Sequence, residues 1–283
     1  RSQTDGHARY DLHEVVRQFA DEKRQATAGQ TDDVRLAHYE YFYTLALTAK
    51  ARLQGAEQLH WLGVLHEDHA NLRAALDTCL TTGDATRGLR LAVQLEDYWY
   101  VRGHHREGLQ TILGFLALTT VGQPPPEVAA ALAAAGLLAI AGGSYGEARL
   151  YLERSVNDAR AHDDQVTLGR ALRYLGIVHL REGKLTVARQ KFVEAAAINE
   201  QIGNLTERTI TLGQLAEIAL LQEDYAEAQQ VGEQIVLLLR TTQNKNQLAG
   251  ALRRLALTHA HLGHRALAVR YGLESLDLNS EVG

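Results

Sequence analysis

Residues 172–195 read LRYLGIVHLREGKLTVARQKFVEA, and this stretch decides the fold. Two apolar stripes at helical spacing are split by Glu182-Gly183. Leu172, Leu175 and Gly176 lie on one face before the turn, and Ala188, Phe192 and Ala195 on one face after it. The pattern returns at a fixed interval. Ala148, Ala188, Ala228 and Ala268 stand 40 residues apart, with Gly108 in the same phase. Twelve places before the four alanines stand Gly136, Gly176, Ala216 and Ala256. Five places before them are the turn glycines Gly143, Gly183 and Gly263, with Gly103 before Gly108 and Glu223 as the exception. Leu132, Leu172, Leu212 and Leu252 keep step. A fixed period of this size marks a solenoid, in which each unit buries its apolar face only by stacking on the next.

Composition agrees with an all-α chain. Of 283 residues only 3 are proline, and Val, Ile and Thr rarely alternate as strands require. The net charge of −5 offers no basic field to nucleic acid. The single cysteine, Cys79, excludes an internal disulfide framework and fits a reducing, cytoplasmic setting. Residues 128–141 form the longest apolar run, too short to span a bilayer. The chain holds no methionine at all, which reads as a piece of a longer protein.

Three regions follow. In residues 1–30, Asp5-Gly6 signals a hairpin turn, residues 8–12 a strand, and His13 to about Arg24 a helix. Residues 31–83 read as a connecting helical pair: one helix capped by Asp32 or Asp33 and ending near Leu53, one from about Ala56 to Leu80. Residues 84–283 hold five units of two helices, the first pairing about 85–101 with 104–119. Asp163, Asp164, Asn204 and Asn246 are the expected caps between units. Within a unit the small residue is expected to face the alanine twelve places on.

The phase resembles the tetratricopeptide repeat, carried by Leu172, Leu175-Gly176, Gly183, Ala188, Phe192 and Ala195. The period of 40, longer than the usual 34, implies longer helices with the same packing. The resemblance implies a right-handed superhelical solenoid. Repeats of this length are similar to the sensor regions of STAND proteins, the signal-transduction ATPases with numerous domains, including bacterial transcription activators. The segment Tyr10-Asp11-Leu12-His13-Glu14-Val15-Val16-Arg17 looks like the end of the STAND winged-helix domain. His13 matches the histidine of a Met-His-Asp motif that contacts the nucleotide phosphate in the resting state; Leu12 and Glu14 depart from that motif. The resemblance implies ATP or ADP in an upstream nucleotide-binding domain held in cis, and no cofactor here. No G-x-x-x-x-G-K-[ST] loop is present.

The histidines offer little chemistry. His66-Glu67 is followed by Ala70 where a zinc-protease helix needs a second histidine, and His60, His66 and His69 read as surface residues. His104-His105 falls in a turn, Trp99 and Trp61 on inward faces, the latter amid Leu59, Leu62 and Leu65. Cys79 reads as a core filler. No nucleophile–base set marks an enzyme.

The resemblance also says which face binds: the first helix of each unit lines the concave wall. That phase gives Arg90, Asp97 and Tyr100, then Ala133 and Leu137, then Arg170, Arg173, Ile177 and Arg181, then Gly213, Glu217 and Leu220, then Arg253, Leu257 and His261. The candidate ligand groove is Tyr100, Arg170, Arg173, Arg181, Glu217, Arg253 and His261. Its arginines form a positive lane suited to carboxylate, phosphate or a peptide backbone, unless some pair with Glu217 or Asp97. The functional expectation is a sensor and autoinhibitory module whose groove takes a protein or small-molecule inducer; the alternative is a plain scaffold without a nucleotide switch. The last helix, about Arg265 to Asn279, carries an apolar set too wide for one contact face, so further repeats or end-to-end self-association are expected to cover it.

Overall fold

A computed structural model describes residues 2–4, 7–9, 28–53, 57–119, 125–242 and 245–282. Ser2–Thr4 (β1) and His7–Arg9 (β2) pair antiparallel, with Ser2 opposite Arg9. The two strands flank Asp5-Gly6, and of the strand expected over residues 8–12 only residues 8 and 9 are described, in a strand that starts one residue earlier. His13 and the helix expected over residues 13–24 lie outside the described residues.

Fourteen helices make up the rest of the described chain. Three precede the repeats: α1 (Ala28–Arg52), α2 (Gln58–Glu67) and α3 (His69–Thr81). The first unit has α4 (Ala85–Gln94), α5 (Glu96–Arg102) and α6 (His105–Leu118). Four regular hairpins follow. They are α7 (Glu127–Ala141) with α8 (Tyr145–Ala161), and α9 (Gln165–Arg181) with α10 (Leu185–Gln201). Then come α11 (Leu205–Leu221) with α12 (Tyr225–Arg240), and α13 (Lys245–His261) with α14 (Arg265–Val282). Each helix packs on the next, and first helices also touch first helices of neighbouring units, α9 reaching both α7 and α11. The fold is an all-helical solenoid of tetratricopeptide-like units.

Three departures from the sequence reading concern the ends of helices. α1 starts at Ala28, so Asp32 and Asp33 lie inside it and do not cap it. The expected helix over 56–80 is interrupted at Asp68, and that over 85–101 at Leu95. Leu95 donates its N–H to Ala92 O, three residues back, which tightens the turn there. The helix resumes with Glu96, Tyr98 and Trp99 buried.

The hairpins share one turn chemistry. Ser144 N donates to Ala139 O, Lys184 N to His179 O, Asp224 N to Ala219 O and His264 N to His259 O, each spanning five residues. This is the Schellman closure, and it requires a left-handed residue just before the donor. Gly143, Gly183 and Gly263 supply it at φ 78°, 74° and 76°. The turns between units use the same device at Asp163 and Gly203, as does Gly83 at the entry to the first unit. Asp164 and Asn204 cap the helices that follow, accepting from Thr167 N and Glu207 N, while Asp163 takes the left-handed place and caps nothing. Asp84 and Asp224 cap as well. Glu223 holds φ 58° where its counterparts are glycine. Its Cβ crowds the backbone there, so Glu223→Gly is expected to raise unfolding stability by about 0.5–1 kcal/mol, read from a urea titration. An unchanged or lowered midpoint would contradict this.

Ala148, Ala188 and Ala228 are buried, and Ala268 is half-buried. At Gly136 and Gly176 the first neighbour a side chain would meet is a large one from the second helix. A Cβ on Gly136 would lie 2.5 Å from Leu152, and one on Gly176 2.6 Å from Phe192. Counted from the turn at Gly183, Gly176 lies seven residues back and Phe192 nine on, so antiparallel helices bring these two level. In these two units the glycine makes room for a large side chain. Trp99 is buried as expected. Trp61 is only half-buried, its Nε1 donating to Glu57, and Leu59 beside it is exposed. Cys79 is buried, and burial pushes its thiol up to about 11. No helix of the described residues is long and apolar enough to cross a membrane.

Candidate functional site

The expected inner-wall positions separate into a buried set and an exposed set. Arg170 and Arg173, one turn apart on α9, are both largely buried and both paired. Arg170 Nη1 lies 2.5 Å from Glu96 Oε1, and Lys50 Nζ lies 2.8 Å from the same oxygen while donating to Val93 O at 2.7 Å. One carboxylate therefore clasps α1, α5 and α9. Glu96 opens α5 directly after the break at Leu95. Arg173 grips Glu207 of α11 with Nε at 2.8 Å and Nη2 at 3.4 Å, its guanidinium centre 4.5 Å from the Tyr174 ring.

The electrostatics follow from this packing. Burial alone would raise the Glu96 carboxyl, but the charges of Arg170 and Lys50 outweigh it and hold it below the ordinary range. Asp97, half-buried beside Glu96, is pushed upward by burial and by that like charge. Glu96 Oε2 and Arg170 Nε are buried without a hydrogen-bond partner among the described residues. The open positive lane expected from four arginines is thus not formed by Arg170 and Arg173, whose guanidiniums are occupied. Their partners are Glu96 and Glu207, not Asp97 or Glu217. Helical spacing carries no signal for these partners, because Glu96 and Arg170 are 74 residues apart and meet only through the curvature of the array.

The other expected positions are exposed: Tyr100, Arg181, Glu217, Arg253, Leu257 and His261. His261 stacks on Tyr225, ring centres 4.7 Å apart. Arg90 reaches out to Glu127, and Ala133 and Leu137 are buried. A cavity of about 510 Å³ opens between α11, α12 and α13, with Gly213, Glu217 and Leu220 in its wall. At the other end, His69 of α3 accepts or donates at Tyr98 Oη over 3.2 Å, sits 3.3 Å from Glu107 and stacks on His104 at 5.0 Å. So His69 is not a surface residue like His60 and His66. Among the described residues no three metal-ligating side chains converge.

No family model matches the chain. Putative HTH-type transcriptional regulators of Mycobacterium bovis and Mycobacterium tuberculosis are 35% identical over 104 residues, which is 37% of this chain and 12% of each of those proteins. The matched stretch thus spans about an eighth of these relatives. Among solved structures, the aspartyl phosphate phosphatase F of Bacillus subtilis aligns with TM-score 0.62 at 10% identity, over 92% of this chain and 75% of that one. The STAND protein with a tetratricopeptide repeat sensor from Pyrococcus horikoshii aligns with TM-score 0.60 at 14% identity, over 87% of this chain and 36% of that one. These likenesses establish the repeat fold.

Proposed function

We propose that the chain is the sensor and autoinhibitory module of a STAND-type signalling ATPase or transcription regulator, its inner wall taking a protein or small-molecule inducer. The observation that carries the reading is the clasp of Lys50, Glu96 and Arg170. It joins the connecting helix α1 to the first and third units, so a ligand that repositions these units also acts on the segment leading upstream. The identity to HTH-type regulators and the shared fold with a STAND sensor support the same reading. An inducer acts only through differential affinity for two arrangements, typically about 1–3 kcal/mol of coupling. The module is read as cytoplasmic and non-catalytic. ATP or ADP belongs to a nucleotide-binding domain upstream in cis, with DNA contact, if the parent makes it, in another domain.

The nucleotide arm is tested first. Calorimetry on this chain alone is expected to show no micromolar affinity for ATP or ADP. In a polypeptide that carries the upstream domain, His13→Ala is expected to speed ADP release, because a contact to the resting-state phosphate is lost. Micromolar ATP binding by this chain overturns the reading. ADP release unchanged by His13→Ala leaves a plain repeat scaffold in its place.

A further inference from the structure

The small positions of the repeat have partners sixteen residues later, and the pairs trade volume. Where the first is glycine the second is large: Gly136 with Leu152, Gly176 with Phe192. Where the first is alanine the second is glycine: Ala216 with Gly232, Ala256 with Gly272. In the first two pairs the large side chain lies directly over the glycine. At Ala216 one methyl stands where the unit before has a whole phenyl ring. Leu255 takes up part of the space that this missing ring leaves, its Cδ1 standing 3.0 Å from a Cβ placed on Gly232, and the rest is open. The cavity between α11, α12 and α13 lies there, with Ala216, Gly232, Ile235 and Leu255 in its wall.

Its polar groups are few. Arg254 lines the cavity and reaches solvent. It meets no acid among the described residues; partial burial and the like charge of Arg253 both disfavour its charged form. Its counterparts 40 and 80 residues earlier are Gln214 and Tyr174, and Arg254 is the one cation among the described residues of this wall. Gln214 adds a neutral donor, and the Glu217 carboxylate in the same wall disfavours a second negative charge on any ligand.

We propose that this cavity binds an apolar monocarboxylic acid, its aryl or branched alkyl group filling the recess beside Gly232 and its carboxylate on Arg254. The internal repeat sets an upper bound on the apolar group, since Phe192 and Leu152 fill the equivalent space in the two units before and Leu255 takes part of it here. A guanidinium and a carboxylate form the strong, charge-assisted hydrogen bond that a partly dehydrated cavity favours. The assignment rests on the reading of the inner wall as a ligand surface.

Titration of the chain with 3-phenylpropanoate, followed by calorimetry, tests it, with 3-phenylpropanamide as the uncharged control. The acid is expected to bind saturably at one site with Kd below about 1 mM, and the amide about tenfold more weakly. Arg254→Gln is expected to weaken the acid about tenfold and leave the amide unchanged. Gly232→Phe is expected to abolish binding of both by supplying the missing ring, with helicity retained by circular dichroism. Arg254→Gln alters a solvent-reaching side chain, so it decides the matter even where Gly232→Phe disturbs folding. Absence of saturable binding, equal affinity for acid and amide, or full affinity in Arg254→Gln overturns the proposal. None of these outcomes touches the nucleotide and His13 measurements, so the two readings fail separately.

Discussion

Glu96→Gln is expected to destabilise the chain by about 3–5 kcal/mol, because it leaves the Arg170 guanidinium buried without its counter-charge. The substitution keeps the shape of the side chain and removes only its charge. Arg170 and Lys50 both converge on Glu96 Oε1, so one change strands two cations. The effect is read as a shift in the urea midpoint at constant slope. The double variant Glu96→Leu with Arg170→Met is expected to recover much of the loss, since an apolar pair of similar volume often replaces a buried ion pair at little cost. A midpoint unchanged by Glu96→Gln would mean that the clasp contributes nothing.

The clasp also sets a pH dependence whose sign can be worked out. The Glu96 carboxyl titrates below its unfolded value of about 4.3. A group lowered in this way adds stability above its unfolded pKa and loses it as pH falls through the folded one. The gap in melting temperature between the native chain and Glu96→Gln is therefore expected to be full at pH 7 and to close below pH ~4. A gap that widens on acidification would reverse the assignment of charge on Glu96.

What the sequence revealed and what it hid divide along physical lines. The 40-residue phase recovers the four regular hairpins, α7 with α8 through α13 with α14, because stacking forces each unit to repeat its buried positions. The turn glycines were legible for the same reason: a left-handed residue recurs wherever a helix closes on the next. The breaks at Asp68 and Leu95 were hidden, since neither residue is a helix breaker and tertiary packing decides there. Of the candidate groove, the residue types were legible but their states were not. Arg170 and Arg173 look like free groove cations at helical spacing, and only the curvature of the array brings Glu96 and Glu207 to them. The cavity beside Gly232 was in principle readable from the trade of volume between positions sixteen apart. That signal needs the knowledge that those two positions touch.

Gly176→Leu is expected to cost about 1–3 kcal/mol or more by overpacking. The first added carbon alone would lie 2.6 Å from Phe192 Cε1 and 2.7 Å from Cδ1. Phe192 is fully buried and has nowhere to retreat, so α9 and α10 must part. Parting them strains the turn at Gly183 and the contacts of α9 with α7 and α11, which spreads the damage beyond one hairpin. Gly146→Leu is the control: nothing lies within 4 Å of its Cβ position, and the residue is exposed on α8. It is expected to leave stability level or slightly raised, since glycine is the poorer helix former by about 1 kcal/mol. The decisive variant adds Phe192→Ala to Gly176→Leu. It moves the bulk from one helix to the other, as the Ala216 and Gly232 pair does naturally, and is expected to be more stable than the sum of its two single changes. Simple additivity in that cycle would show that the two positions do not share one space.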